Sequence, residues 1–218
     1  MGETNRHKTA SMTEQFHAYP ELLKSRRFWG YSLTAAFSAG AYYAYLGGAA
    51  YVGRELFSLS PDVLGLYIAV PTFGYVVGNG LSGRFSASFG IDKMILVGAV
   101  VTVFGMTTCL FLFLSTNPIP ISFFGCVCIM GLGNGLVIPN SNAGMMSVRP
   151  KLAGSASGLG GALNTGGGAI IATGTAAVLI PGTGALTLIL IMLVSCVMTI
   201  LTIAYVIKRT QILEREEV

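Results

Sequence analysis

The sequence predicts an all-α membrane protein of six transmembrane helices, and three observations predict it. Of its 218 residues 53% are apolar and 10% are charged, where an ordinary globular chain carries roughly a quarter charged residues. The charges are clustered, with none between Lys93 and Arg149 and none between Lys151 and Lys208, and each gap has room for two spans. Six stretches reach the length of about 20 mostly apolar residues that a helix needs to cross a hydrocarbon core.

Those stretches fall at about 28–52, 62–83, 93–115, 119–140, 152–180 and 184–207, between a cytoplasmic or interfacial segment at 1–27 and a cytoplasmic tail at 208–218. The links between them are short and carry breakers: Ser60-Pro61, the segment Arg84 to Asp92, Asn117-Pro118, Arg149-Pro150 and Pro181-Gly182. Phe16 to Arg27 mixes aromatic, apolar and basic residues and is expected to lie along the interface. The first apolar run is too long for a signal-peptide core, so no cleavable leader is expected and the first helix is read as its own insertion signal.

Lysine and arginine of short loops stay on the cytoplasmic side. With both termini inside, twelve of the 13 basic residues are cytoplasmic and only Arg54 is outside. The positive balance therefore reports topology in a cell inner membrane, and no nucleic-acid partner is expected.

Cys109, Cys126, Cys128 and Cys196 fall inside predicted spans, where a small apolar role is expected rather than disulfides or a zinc site. His7 and His17 stand in the polar N-terminal segment without nearby ligands. Gly78-Asn79-Gly80-Leu81-Ser82-Gly83 has dinucleotide-loop spacing, but it ends an apolar span and follows no strand. With no phosphate loop, metal pattern or nucleophile constellation, neither a cofactor nor an enzyme is expected.

Two span starts are alike. Ser60-Pro61-Asp62-Val63-Leu64-Gly65 opens the second and Arg149-Pro150-Lys151-Leu152-Ala153-Gly154 the fifth. Three helices apart, they enter from opposite faces, as an inverted 3+3 repeat requires. The fifth span is crowded with small residues, among them Gly154, Gly158 and Gly161. Such residues let helices approach closely in lipid, so they are candidate packing positions, either in a static bundle or against a sliding partner.

Gly80-Leu81-Ser82-Gly83-Arg84 followed by Phe89-Gly90-Ile91-Asp92-Lys93 resembles the loop signature of the major facilitator superfamily, found between the second and third helices of each half. Gly135-Leu136-Val137-Ile138-Pro139-Asn140 followed by Ala153-Gly154-Ser155-Ala156-Ser157 is similar to the tenth and eleventh helices of its drug:proton antiporter branch, the bicyclomycin/chloramphenicol resistance (Bcr/CflA) group. The resemblance covers about residues 16 to 207 and maps onto one half of the fold, helices seven to twelve. Ser88 departs from it, standing where a basic residue is frequent.

The resemblance implies proton-coupled export of drugs or other small amphipathic molecules by alternating access. Gly80, Gly83, Arg84, Gly90, Asp92 and Lys93 become gating-loop candidates. The glycines are expected to permit close approach, and the charges to pair with one another or with helix termini. No span interior holds Asp, Glu, Lys, Arg or His, so a coupling carboxylate is expected in the other half.

The first and fourth spans resemble the family's cavity-lining seventh and tenth helices, and this resemblance makes cavity candidates of Ser38, Tyr42 and Tyr45, which recur at i, i+4 and i+7, and of Met130 with Asn134, which share a face. Aromatic rings and a flexible Met suit amphipathic ligands, while each residue serves equally as interhelical glue. Asn79, Asn140, Asn142 and Asn164 are expected to pair between helices, and Pro71 and Pro139 to kink theirs. The expected partners are the lipid bilayer, a small-molecule substrate, protons, and either a missing N-terminal half or a second copy. The rival readings are a self-sufficient homodimeric transporter and a non-transporting remnant, and the alternative substrates are sugar or amino-acid derivatives.

Overall fold

The computed structural model describes residues 20, 22–115, 118–179 and 184–216, with side chains up to residue 212. Among them are six long helices: α1 (Arg26–Tyr51), α2 (Pro61–Phe89), α3 (Ile91–Ser115), α4 (Pro120–Val148), α5 (Ala153–Val178) and α6 (Gly184–Glu216). By length and composition, α2, α3, α4 and the part of α6 up to Ile212 are apolar enough to cross a membrane. α1 and α5 are as long, but Gly, Ser, Thr and Tyr dilute their apolar content. The breakers at Asn117 and Pro181-Gly182, both histidines, and residues 16–19 and 21 of the interfacial segment lie outside the described residues.

Each predicted stretch falls on one helix, and local chemistry sets the ends. Ser25 caps α1, its side chain accepting from the Phe28 N–H at 3.4 Å. The indole of Trp29 donates to the Leu23 carbonyl at 2.8 Å, folding the preceding turn back on α1. At its far end α1 widens into a π-helical turn, Val52–Leu56. Proline opens α2 and α4, where its missing N–H costs nothing.

The segment Arg84 to Asp92, expected as a loop, is not one. α2 continues through Arg84 to Phe89, and α3 starts at Ile91, so a single residue separates them. Residues 84–89 hold no breaker. Gly90 makes the turn alone at φ 83° and ψ 150°, a backbone region essentially reserved for glycine. α4 likewise runs past its expected end at Asn140 to Val148, with Pro139 inside it.

α1 and α4 form the centre. α1 packs on α4, α5 and α6, while α4 packs on α1, α2 and α3, and α3 meets α6. Exchanging α1 with α4, α2 with α5 and α3 with α6 returns the same set of neighbours, the pattern of a doubled three-helix unit. Two apolar cores fill this frame. One gathers Tyr45, Met106, Phe124, Met130 and Met192, and the other gathers Phe28, Tyr31, Ile95, Val137 and Met145.

Glycine lets α4 reach its neighbours. Gly74 and Gly78 of α2 face the carbonyls of Cys128 and Leu132, and Gly131 and Gly135 of α4 face those of Pro71 and Tyr75. These are two GxxxG spacings interlocked backbone to backbone. On the other side of α4, Gly133 meets Gly98 of α3. The glycines expected as packing or close-approach positions have no described neighbour against them. Among the described residues a Cβ at Gly80, Gly83, Gly154, Gly158 or Gly161 would meet nothing within 4 Å, because those positions lie on faces of α2 and α5 that no described helix covers.

Candidate substrate site

Halfway along the two central helices the apolar cores are interrupted by a polar pair. Ser38 of α1 lies between the turns that carry Ala35 and Ala41, and Asn134 of α4 between those that carry Met130 and Val137. Both side chains are about 1% exposed. The Ser38 hydroxyl donates to Asn134 Oδ1 at 2.7 Å, so the hydroxyl and the amide oxygen satisfy each other in an apolar interior.

A cavity of about 320 Å³ opens beside this pair. Its α1 wall is Ala39, Tyr42 and Tyr43, and its α4 wall is Gly131, Asn134 and Ile138. α2 contributes Thr72 and Tyr75, and α5 contributes Asn164. The walls therefore come from both three-helix units. Gly131 and its neighbour Gly135 matter here twice, since the tight α2–α4 contact they allow also brings Tyr75 to the cavity edge.

The surface is aromatic and amide-bearing, and among the described residues no Asp, Glu, Lys, Arg or His lines it. Two polar atoms of its lining are buried without a hydrogen-bond partner among the described residues, Asn134 Nδ2 and Asn164 Oδ1. One is a donor and the other an acceptor.

Of the residues singled out from the sequence, Tyr42 and Asn134 line the cavity, and Ser38 reaches it through its bond to Asn134. Tyr45 and Met130 are fully buried in the neighbouring core. The Tyr45 hydroxyl donates to the Ile68 carbonyl of α2 at 3.1 Å. Its ring stands edge-on to Phe124 at 6.4 Å. Tyr42 touches the same ring system, 5.9 Å from Tyr45, and so connects core to cavity.

The sequence reading missed Tyr43, Thr72 and Tyr75. Thr72, Tyr75 and Asn79 recur on one face of α2, which is the signal that marks that wall. Asn79 itself turns back to the Tyr75 carbonyl at 2.9 Å. Asn140 pairs between helices, donating to Ser82 of α2 at 2.7 Å and to the Leu136 carbonyl of its own helix at 2.7 Å.

The charged gating candidates stand apart from the cavity. Asp92, in the first turn of α3, accepts from the Tyr31 hydroxyl at 2.6 Å and so ties α3 to α1. The Arg84 guanidinium lies 5.8 Å from the centroid of the Phe85 ring, on an exposed stretch of α2. Lys93 is exposed beside Asp92.

The chain matches the family model described as Major Facilitator Superfamily over residues 31–216. It is also similar to "Uncharacterized MFS-type transporter YdgK" of Bacillus subtilis (strain 168), at 27% identity over 145 residues, which is 65% of this chain and 35% of that protein. The match thus spans about a third of the length of that curated relative.

Proposed function

Because the chain belongs to the Major Facilitator Superfamily, we propose that it is a six-helix half of a secondary exporter of drugs or other small amphipathic molecules, corresponding to helices seven to twelve. The observation that carries this reading is the cavity between α1, α2, α4 and α5, whose walls are drawn from both three-helix units. Such a surface, set against a second six-helix unit, forms a central chamber that opens alternately to either side as the two units rock.

α1 and α5 cross the bilayer in this reading despite their polarity. Their small and hydroxyl-bearing residues meet other helices or the chamber rather than lipid. Both termini stand on the cytoplasmic side of the inner membrane, where the basic residues collect.

The transported proton has no carrier on the described cavity wall, which holds no carboxylate or histidine. In this reading the coupling carboxylate belongs to the second unit, a complementary half or another copy of the chain. The unpacked faces of α2 and α5 around Gly80, Gly83, Gly154, Gly158 and Gly161 are where that unit rests.

The test is flux into proteoliposomes loaded with an imposed pH gradient. The chain alone, and the chain with a complementary six-helix half, are compared using a panel of amphipathic dyes. Dye movement that requires the added half supports a split transporter. Movement by a cross-linkable dimer of the chain alone moves the reading to a self-sufficient homodimer. No movement in either case rejects transport.

A further inference from the structure

Resting on the reading of this cavity as a substrate surface, we infer that it takes an uncharged solute whose polar group offers an acceptor to Asn134 and a donor to Asn164. A carboxamide, or a group of the same hydrogen-bonding form, carried on a flat or apolar body meets that description.

Asn134 is the key residue. Its Oδ1 is occupied by Ser38 at 2.7 Å, while its Nδ2 is buried and has no partner among the described residues. Buried polar atoms are nearly always satisfied, so a donor left over on a cavity wall marks a place for a ligand atom. Turning the amide over does not remove the vacancy, because the single Ser38 hydroxyl satisfies only one of the two amide atoms. Across the cavity, on another helix, Asn164 leaves Oδ1 without a partner and supplies the complementary sense.

The rest of the lining sets the body of the solute. Tyr42, Tyr43 and Tyr75 offer ring surfaces, and Ile138 offers an apolar one. At about 320 Å³ the space lies at the small end of ligand pockets, enough for a compact ring and its substituent. Charge is selected against by the same wall. Neither a cation nor an anion finds a compensating Asp, Glu, Lys, Arg or His among the lining residues, and an unpaired charge pays heavily for leaving water.

Benzamide, benzamidinium and benzoate test this, being almost the same shape and differing in charge and hydrogen-bonding sense. Their binding to the full chain in mild detergent is read by ligand-observed saturation-transfer NMR. The expected result is benzamide binding at least tenfold tighter than either ion, with a tenfold loss in Asn134→Leu and a smaller loss in Asn164→Leu. Helical circular dichroism establishes that each variant is folded. Should Asn134→Leu not fold, the half-exposed Asn164→Leu carries the comparison.

Equal or tighter binding of either ion overturns the inference, as does unchanged benzamide binding in the folded variants. Absence of benzamide binding also overturns it and leaves the two amides to buried water. The transport reading fails separately. Neutral-selective binding without flux sinks transport and leaves the ligand class standing, while flux of charged dyes with no preference for benzamide does the reverse.

Discussion

Ser38 on α1 and Asn134 on α4, 96 residues apart in the chain, share a 2.7 Å hydrogen bond at the centre of the bundle. It is a polar clasp between the leading helices of the two three-helix units, with an apolar core on either side. Its position ties stability to the candidate site, since the residue that joins the units also walls the cavity.

Removing Ser38 should therefore be felt in folding. Ser38→Ala leaves both polar ends of the Asn134 side chain unsatisfied, a loss of about 1–2 kcal/mol. A double-mutant cycle with Asn134→Leu should return a coupling of about 0.5–1.5 kcal/mol, the range found for hydrogen bonds between membrane helices. Thermal or denaturant unfolding in detergent measures it, and independent, additive effects would contradict the clasp.

The interlocked glycines predict a sharp contrast between positions. Gly78→Ala drives a methyl into the Leu132 carbonyl, and Gly131→Ala drives one into that of Pro71. Each should cost about 1–3 kcal/mol, because backbone cannot give way as a side-chain tip can. Gly158→Ala and Gly161→Ala enter open space and should change the stability of the isolated chain by less than about 0.5 kcal/mol. Melting temperatures of the four variants in one detergent decide between the two sets.

Gly90 should tolerate no side chain. At φ 83° and ψ 150° it is the whole connection between α2 and α3, and Gly90→Ala should cost about 1–3 kcal/mol in backbone strain. Gly83→Ala, inside the continuous helix and facing open space, should instead be neutral or slightly stabilising. If Gly90→Ala melts with the parent, α2 and α3 are joined by a looser loop than the one described.

Tyr31→Phe tests the α1–α3 tie. Asp92 loses a 2.6 Å donor, and the variant should lose about 1–3 kcal/mol, the cost of leaving such an acceptor without its partner. Asp92→Asn keeps an acceptor oxygen and should lose less. Chemical unfolding of the pair of variants provides the comparison, and the opposite order would assign the tie to something other than this bond.

Orientation has its own measurement. Single cysteines at Ser88, by the α2–α3 turn, and at Ser58, beyond the π-helical turn of α1, are added to a chain whose four native cysteines are replaced by alanine. Ser58→Cys should react with an impermeant maleimide from outside intact cells, and Ser88→Cys only after the membrane is opened. Labelling of both from the same side would overturn the inside-termini topology.

Much of the fold was legible because it depends on quantities that add along the chain. Each of the six apolar stretches overlaps one described helix, and the ends misjudged were mainly those of α2 and α4. Those ends were hidden because residues 84–89 and 141–148 mix polar and apolar side chains, which ends the apolar run without ending the helix. Of the residues lining the cavity, Tyr42 and Asn134 had been singled out, from the family resemblance of their helices together with their spacing. Tyr43 was passed over beside its neighbour, and Tyr75 belongs to a helix whose exposed and covered faces are both apolar.

Composition and the distribution of charge by themselves determined that this chain is helical and suited to lipid, since the burial of backbone polar groups in a bilayer leaves few alternatives to a long helix. Only the tertiary structure decided which glycines touch, which tyrosine is core and which is wall, and which side of Asn134 is left unpaired. The physical reason is that helices apolar on every side carry no amphipathic stripe. Neighbours in three dimensions, rather than the pattern along the chain, assign each face its role.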